Sequence, residues 1–186
     1  MNNKFLQFLL LTCLISTCLF ETTGADNRNR LGDEYDITGF WKSMDENTGL
    51  IAAIIGIYEY RDKRYGKLII TYNDGLVKDT IYNPGEQAEK LIGTPFFAGL
   101  DFIWDLELKG NKWINGCIMD PQEGKFYHGD LWMKDDELIV RGKIKIGFIF
   151  LGRNQIWLPV QSSDLPQGFI LPDLSGTIPT RWQAVE

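Results

Sequence analysis

Phe102-Ile103-Trp104-Asp105-Leu106-Glu107-Leu108-Lys109, then Gly110-Asn111, then Lys112-Trp113-Ile114-Asn115-Gly116-Cys117-Ile118-Met119, is the stretch that decides the fold class. Its first eight residues alternate. Phe102, Trp104, Leu106 and Leu108 make one apolar row, and Ile103, Asp105, Glu107 and Lys109 make a mostly charged one. Period two with one polar face is the mark of a half-buried antiparallel strand. Gly110-Asn111 is a two-residue hairpin turn, because glycine reaches the positive φ that a tight hairpin needs. Lys112 to Met119 then pairs back.

The same rhythm runs outward in both directions. Downstream, Asp120 to Gly124 is a turn and Lys125 to Met133 a strand. Lys134-Asp135-Asp136 turns into Glu137 to Ile146, which continues past Gly147 to Phe150. Leu151-Gly152-Arg153 turns again, and Asn154 to Val160 is the last strand. Upstream, Tyr65 to Tyr72 and Leu50 to Tyr60 flank the charged turn Arg61 to Arg64. A buried helix competes for Leu50 to Tyr60; Gly56 and Tyr58-Glu59-Tyr60 favour a strand bent or bulged at Gly56. Asp45 to Gly49 is a turn cluster, and Ile37 to Met44 is the first strand. Asn73 to Thr94 breaks the pattern with two turn signals and a short helix-forming run, Glu86 to Leu91. It reads as a long loop, either a functional lid or a solvated crossover. Eight strands in a meander, with no helix long enough for a βαβ unit, predict an all-β fold: an eight-stranded antiparallel up-and-down barrel over 37–160.

A barrel needs its ends closed. Gly39-Phe40-Trp41 stands where the barrel begins, with Gly39 permitting a close approach and Trp41 supplying a large apolar plate. The last strand of a barrel returns beside its first, so Arg153 is the candidate cation over Trp41; Arg141 is the other late arginine.

The flanks differ in composition. Lys4, the apolar run Phe5 to Phe20 and the small residues Thr23-Gly24-Ala25 make 1–25 a secretory signal peptide, its apolar run too short for the roughly 20 residues of a spanning helix. Ile15-Ser16-Thr17-Cys18 offers a competing lipoprotein reading through Cys18, which Thr17 disfavours. The expected location is therefore outside the cytoplasm, periplasmic or secreted. Residues 26–36 are a polar, flexible lead-in. Residues 161–186 form an extended C-terminal extension punctuated by Pro166, Pro172 and Pro179, either packed on the barrel or disordered.

The whole chain of 186 residues carries a net charge of −6 with no basic cluster, so nucleic acid is excluded as an expected partner. After removal of the leader only Cys117 remains, among apolar neighbours, and it reads as a buried thiol. His128 is the only histidine, and a lone histidine makes neither a catalytic triad nor a metal site. Asp45, Glu46, Asp120 and Glu123 match no calcium loop and read as solvated turn residues. No catalytic residue, metal ligand or cofactor motif is expected, and an enzyme is the weakest functional class.

Aromatic residues are abundant: 11 Phe, 7 Tyr and 6 Trp. An eight-stranded barrel fills with side chains or holds one small ligand. Trp104, Trp113, Tyr127, Trp132, Phe148, Phe150 and Trp157 are the candidate lining of such a cavity; packing among themselves is the alternative, because strand register decides the face each one takes.

Several short motifs occur in order along the chain: Gly39-Phe40-Trp41-Lys42 with Asp45 and Gly49; Ile57-Tyr58-Glu59 and Tyr65-Gly66-Lys67; Pro95 and Gly99-Leu100; Trp113-Ile114-Asn115-Gly116; Asp120-Pro121, Gly124-Lys125 and Tyr127; Leu138 and Val140-Arg141-Gly142; Gly152-Arg153-Asn154-Gln155 and Trp157. With them the chain resembles a family of small secreted bacterial proteins catalogued as domain of unknown function 2147. The resemblance implies a barrel like those of lipocalins or fatty-acid-binding proteins, with no established activity. Members often carry two cysteines in the region of Asn73 to Thr94, and this chain carries none there. They often place an arginine shortly after the last tryptophan, where this chain has Leu158-Pro159. The expected function is a carrier for a small, largely apolar ligand. A non-enzymatic envelope module is the alternative, binding a protein partner through the barrel exterior or the tail from Phe169 to Trp182.

Overall fold

The computed structural model describes residues 35–146 and 149–185. The expected signal peptide, most of the lead-in and Phe148 lie outside the described residues, as does the side chain of Phe150.

Nine strands follow in order: β1 Gly39–Met44, β2 Ile51–Tyr60, β3 Lys63–Asn73, β4 Leu76–Thr80, β5 Asp101–Lys109, β6 Lys112–Asp120, β7 Lys125–Lys134, β8 Glu137–Ile146 and β9 Ile149–Pro159. All pairings are antiparallel. Eight strands close into a barrel in the order β1-β2-β3-β5-β6-β7-β8-β9, with β9 returning to β1. The expected barrel is present. The ninth strand, β4, folds back on the far half of β3 outside the ring.

The turns follow their chemistry. Arg61 and Asp62 both take positive φ, as do Asp74 and Gly75, which is the backbone a two-residue hairpin requires. Two turns depart from expectation by more than one residue. The charged turn after β2 is only Arg61-Asp62, so Lys63 and Arg64 already belong to β3. The last hairpin reverses between Ile146 and Ile149, not at Leu151 to Arg153, because β8 and β9 stay in unbroken register to that point. Glu86 to Leu91 forms no helix. Its backbone makes isolated bridges instead, Gln87 to Phe96 and Leu91 to Ala184, and Asp79 fixes its start by accepting from the N–H groups of Gly85 and Glu86.

Strand alternation assigns the two faces. Trp41 pairs with Ile55, and Ser43 pairs with Trp157, which pairs with Leu138. These point into the barrel, where the core also holds Leu106, Trp113, Leu131 and Val140. A second apolar cluster lies on the outside: Ile54, Ile69 and Ile70, fully buried, packed against Phe40, Tyr72, Phe169 and Leu174. The register shift near Gly56 falls between Ile54 and Ile55, opposite an extra residue in β3, Ile69.

The cover over this outer cluster is the C-terminal extension, which runs as a strap along the barrel wall. Lys42 holds Asp164 at 2.8 Å, Tyr72 donates to the Asp164 carbonyl, Trp104 Nε1 donates to the Thr180 carbonyl at 2.9 Å, and the Thr180 N–H donates to Asp101 at 2.8 Å. Its end bonds to the long loop, Ile92 N–H to the Gln183 carbonyl and Val185 N–H to the Lys90 carbonyl. Burying each of the three isoleucines contributes about 1.5–3 kcal/mol.

Candidate functional site

One end of the barrel is sealed. The chain crosses it just before β1, and two indoles anchor that crossing: Trp41 Nε1 donates to the Ile37 carbonyl at 2.9 Å, and Trp113 Nε1 to the Tyr35 carbonyl at 2.7 Å. Ile37 is fully buried between them. Arg64 lies on the inner face of β3, with its guanidinium carbon 4.3 Å from the Trp113 ring centroid. It bonds Glu59 at 2.6 Å and Asp36 at 3.3 Å. A charge this buried is tolerated because both carboxylates and the ring face compensate it.

Arg153 does not cover Trp41. The β9 residue opposite Trp41 is Pro159, six residues further along, a separation of about 20 Å. Arg153 instead pairs with Glu46 of the β1–β2 turn, and its side chain is 76% exposed. Gly39 also differs from expectation. Nothing lies within 4 Å of where its Cβ would be, so glycine is needed there for its backbone, at φ +128°.

Of the expected lining residues, Trp113 and Trp157 face inward and are buried. Trp113 belongs to the sealed end. Trp157 packs near Phe102, with 6.2 Å between centroids, and donates to Gln155. Tyr127, opposite Ile118, is half-buried on the inner face. Trp104 and Trp132 are not in the interior. Trp132 lies on the outer face with Lys112 4.2 Å from its ring. Trp104 is turned outward under the strap, beside Phe126 and Arg181. The cause is two register shifts between β5 and β3, one spanning Asp105, which takes φ +60°. A bulge inserts one residue and flips the faces beyond it.

Towards the other end of the barrel, among the described residues, the seam between β9 and β1 is left unpaired. β9 pairs with β1 only through Ser43, Lys42 and Trp41, while its stretch from Ile149 to Ile156 pairs with β8 alone. Above Trp157 the inward row of β9 is Gln155, Arg153 and Leu151; above Val140 the inward row of β8 is Gly142 and Ile144. Gln155 is exposed, Leu151 is 59% exposed and Ile144 50%. On a closed, filled barrel, positions facing inward are buried. Here Ile144, Leu151 and Gln155 stay accessible, and the row becomes buried only at Val140 and Trp157. Asp45 fixes the β1–β2 turn, across the seam from β9, by accepting from the N–H groups of Thr48 and Asn47, which holds its carboxyl below the usual range.

Sequence reasoning missed Arg64, Ile144, Leu151 and Gln155. Arg64 was legible: it stands two and four residues before Gly66 and Leu68, on their face of a period-two strand. The other three depended on knowing where the last hairpin turns.

Outside the barrel, two clefts border the strap. One of about 600 Å³ lies between Tyr58, Glu59 and the segment from Pro172 to Gly176, and one of about 470 Å³ between Tyr82 and the segment from Pro166 to Ile170. Cys117 is half-buried, and burial raises its thiol above the ordinary range. Among the described residues, no group of three or more His, Cys, Asp or Glu is placed to hold a metal ion.

The fold has a solved counterpart. The chain superimposes with a TM-score of 0.54 on protein HP1028 of the human pathogen Helicobacter pylori, which belongs to the lipocalin family, at 15% identity over 69% of this chain and 86% of that one. That likeness establishes a lipocalin-like fold. No curated protein matches the sequence. A family model described as an uncharacterised protein conserved in bacteria, DUF2147, matches residues 39–158, the span from the sealed end of the barrel to the end of its last strand. The chain belongs to the DUF2147 family.

Proposed function

We propose that this chain is an exported binding protein that takes a small, largely apolar ligand into its barrel at the end where β9 and β1 are unpaired and performs no chemistry on it. The observation that carries the reading is the exposure of Ile144 and Leu151 on the inward face of β8 and β9. Apolar side chains left accessible on a concave wall gain by covering; at half exposure each contributes about 1 kcal/mol when a ligand buries it. The sealed opposite end supports this geometry, since it gives the barrel one mouth. Export rests on the leader-like residues 1–25. An outer-surface partner is less well supported, because the strap occupies the outer face of β2, β3 and β5.

Trp157 is a built-in reporter at the buried end of the inward row of β9. Titration with decanol, followed by tryptophan fluorescence and native mass spectrometry, is expected to give saturable one-to-one binding. Leu151→Asp is expected to weaken it at least tenfold with an unchanged far-ultraviolet spectrum, since the position is exposed. Absence of saturable binding, or equal binding by Leu151→Asp, overturns the reading.

A further inference from the structure

The wall that carries Ile144 and Leu151 also carries a cation. Arg153 shares the inward row of β9 with Leu151 and Gln155, two residues above Gln155 and four above Trp157. Its guanidinium pairs with Glu46, which the β1–β2 turn presents from across the unpaired seam between β9 and β1. Both side chains are well exposed, 76% for Arg153 and 43% for Glu46. An exposed ion pair of this kind is weak, and an arginine exchanges one carboxylate for another at little cost.

We propose that the mouth selects single-chain amphiphiles with an anionic head group, the chain lying against Ile144 and Leu151 and the head taking the place of Glu46 on Arg153. This inference rests on the ligand reading above and names its ligand class. Geometry favours it over a neutral ligand. A chain buried against Leu151 delivers its end group two residues from the guanidinium, about 7 Å along the strand. Binding of the chain then converts head-group capture into an intramolecular step. The planar fork of arginine donates in pairs to carboxylate or sulfate oxygens. Glu46 serves as the resident anion, occupying the cation while the mouth is empty and moving to solvent when a ligand arrives. The Asp45-anchored turn keeps Glu46 within reach of the site.

The test uses four ten-carbon probes below their micelle thresholds, read by tryptophan fluorescence: decanoate, decyl sulfate, decanol and decyltrimethylammonium. Decanoate and decyl sulfate are expected to bind about fivefold tighter than decanol at low salt, with the ammonium probe weakest, and the preference is expected to shrink as salt rises. Between the two anions, tighter decanoate identifies carboxylate heads as preferred, and tighter decyl sulfate identifies tetrahedral anions. Arg153→Gln is expected to bring the decanoate-to-decanol ratio to about one. Glu46→Gln is expected to raise the affinity for both anions by removing their competitor. Equal binding of decanoate, decanol and the ammonium probe overturns the head-group assignment and leaves the apolar mouth standing. An unchanged decanoate-to-decanol ratio in Arg153→Gln also overturns it. Failure of all four probes to bind removes the mouth as a ligand site, and this inference with it.

Discussion

Asp101 joins the barrel to its strap, and replacing it with alanine is expected to cost about 4 kcal/mol. Its carboxylate is 1% exposed and fully engaged. One oxygen accepts from the Tyr58 hydroxyl at 2.8 Å and faces Lys67 Nζ at 2.9 Å; the other accepts from the Thr180 N–H at 2.8 Å. Alanine leaves the Tyr58 hydroxyl and the Thr180 N–H without their acceptor. It also leaves the Lys67 ammonium, 17% exposed, with the Gly99 carbonyl in place of a countercharge. Breaking one side of a buried charge pair costs about 3–5 kcal/mol, and hydrogen bonds to a charged group about 1.5–3 kcal/mol each, overlapping rather than additive. Against a typical domain stability of roughly 5–15 kcal/mol this is a large fraction. With an m-value near 2 kcal/mol/M, the urea midpoint is expected to fall by about 2 M. Asp101→Asn keeps one acceptor but turns an amide donor towards another donor, so it is expected to fall between wild type and alanine. Arg181, one residue beyond the Thr180 tether, provides a local readout: trypsin is expected to cleave there faster in Asp101→Ala under native conditions. A loss below 1 kcal/mol, or an effect strictly additive with Tyr58→Phe, refutes the reasoning, because residues sharing one network must couple.

Arg64→Leu is expected to lower stability by about 1–2 kcal/mol through loss of its stacking on Trp113, whereas Arg153→Leu stays within about 0.5 kcal/mol because the side chain is exposed; urea midpoints of the two variants test which arginine closes the barrel. Gly116→Ala is expected to destabilise by about 1–3 kcal/mol: the new methyl would sit 2.5 Å from Leu106 Cδ2 and 3.1 Å from the Trp104 carbonyl oxygen, and calorimetry measures the drop in Tm. The Tyr65 hydroxyl is pushed up to about 12, first by burial and then by donation to Asp105; Tyr58 is raised too, by burial and then by the Asp101 charge. Both hold their protons more tightly when folded. The stability they supply is therefore complete below the ordinary tyrosine pKa near 10, and the part from Tyr65 is lost as pH rises through about 12. Tyrosinate absorbance is expected to show this late-titrating fraction, and Tyr65→Phe to reduce it.

The hairpins were legible because their chemistry is local. Gly110-Asn111 and the alternation on either side of it need no distant partner to be read. Three features were not local. Trp104 shares a sequence row with Phe102, Leu106 and Leu108, yet the shifts around Asp105 turn it to the outside, and nothing in the alternation announces a bulge at an aspartate. β4 was hidden because its residues, Leu76 to Thr80, follow a turn signal and are mostly exposed, so no apolar face marks them as a strand. Glu86 to Leu91 has helix-forming residues, but Asp79 captures its first N–H groups and Ala184 bridges its end, and those partners outcompete a short isolated helix. The mouth was half legible: Trp157 stood among the expected lining residues, but a hairpin turn placed at Leu151 to Arg153 removed the exposed wall from view.

The strap has a signature that alternation alone explains. Leu50-Ile51-Ala52-Ala53-Ile54-Ile55-Gly56-Ile57-Tyr58 and Leu68-Ile69-Ile70 are apolar without a polar face, unlike Phe102 to Lys109. A strand of a one-layered barrel should show one wet face. Continuous apolar runs instead require cover on both sides. In β2 and β3 the inner face meets the barrel core, and the outer face meets Phe169, Leu171 and Leu174. By contrast, β7 and β8 carry His128, Asp130, Arg141 and Lys143 on their outer faces, and the strap does not run there. The place where the extension docks is therefore encoded twice, in the apolar beads of the extension and in the missing polar face of the strands it covers. That division assigns the barrel's surfaces: the outer wall of β2 and β3 is committed to the chain's own C-terminal segment. The inward wall of β8 and β9 keeps Ile144 and Leu151 accessible without such cover, so burial of those side chains is still to be gained.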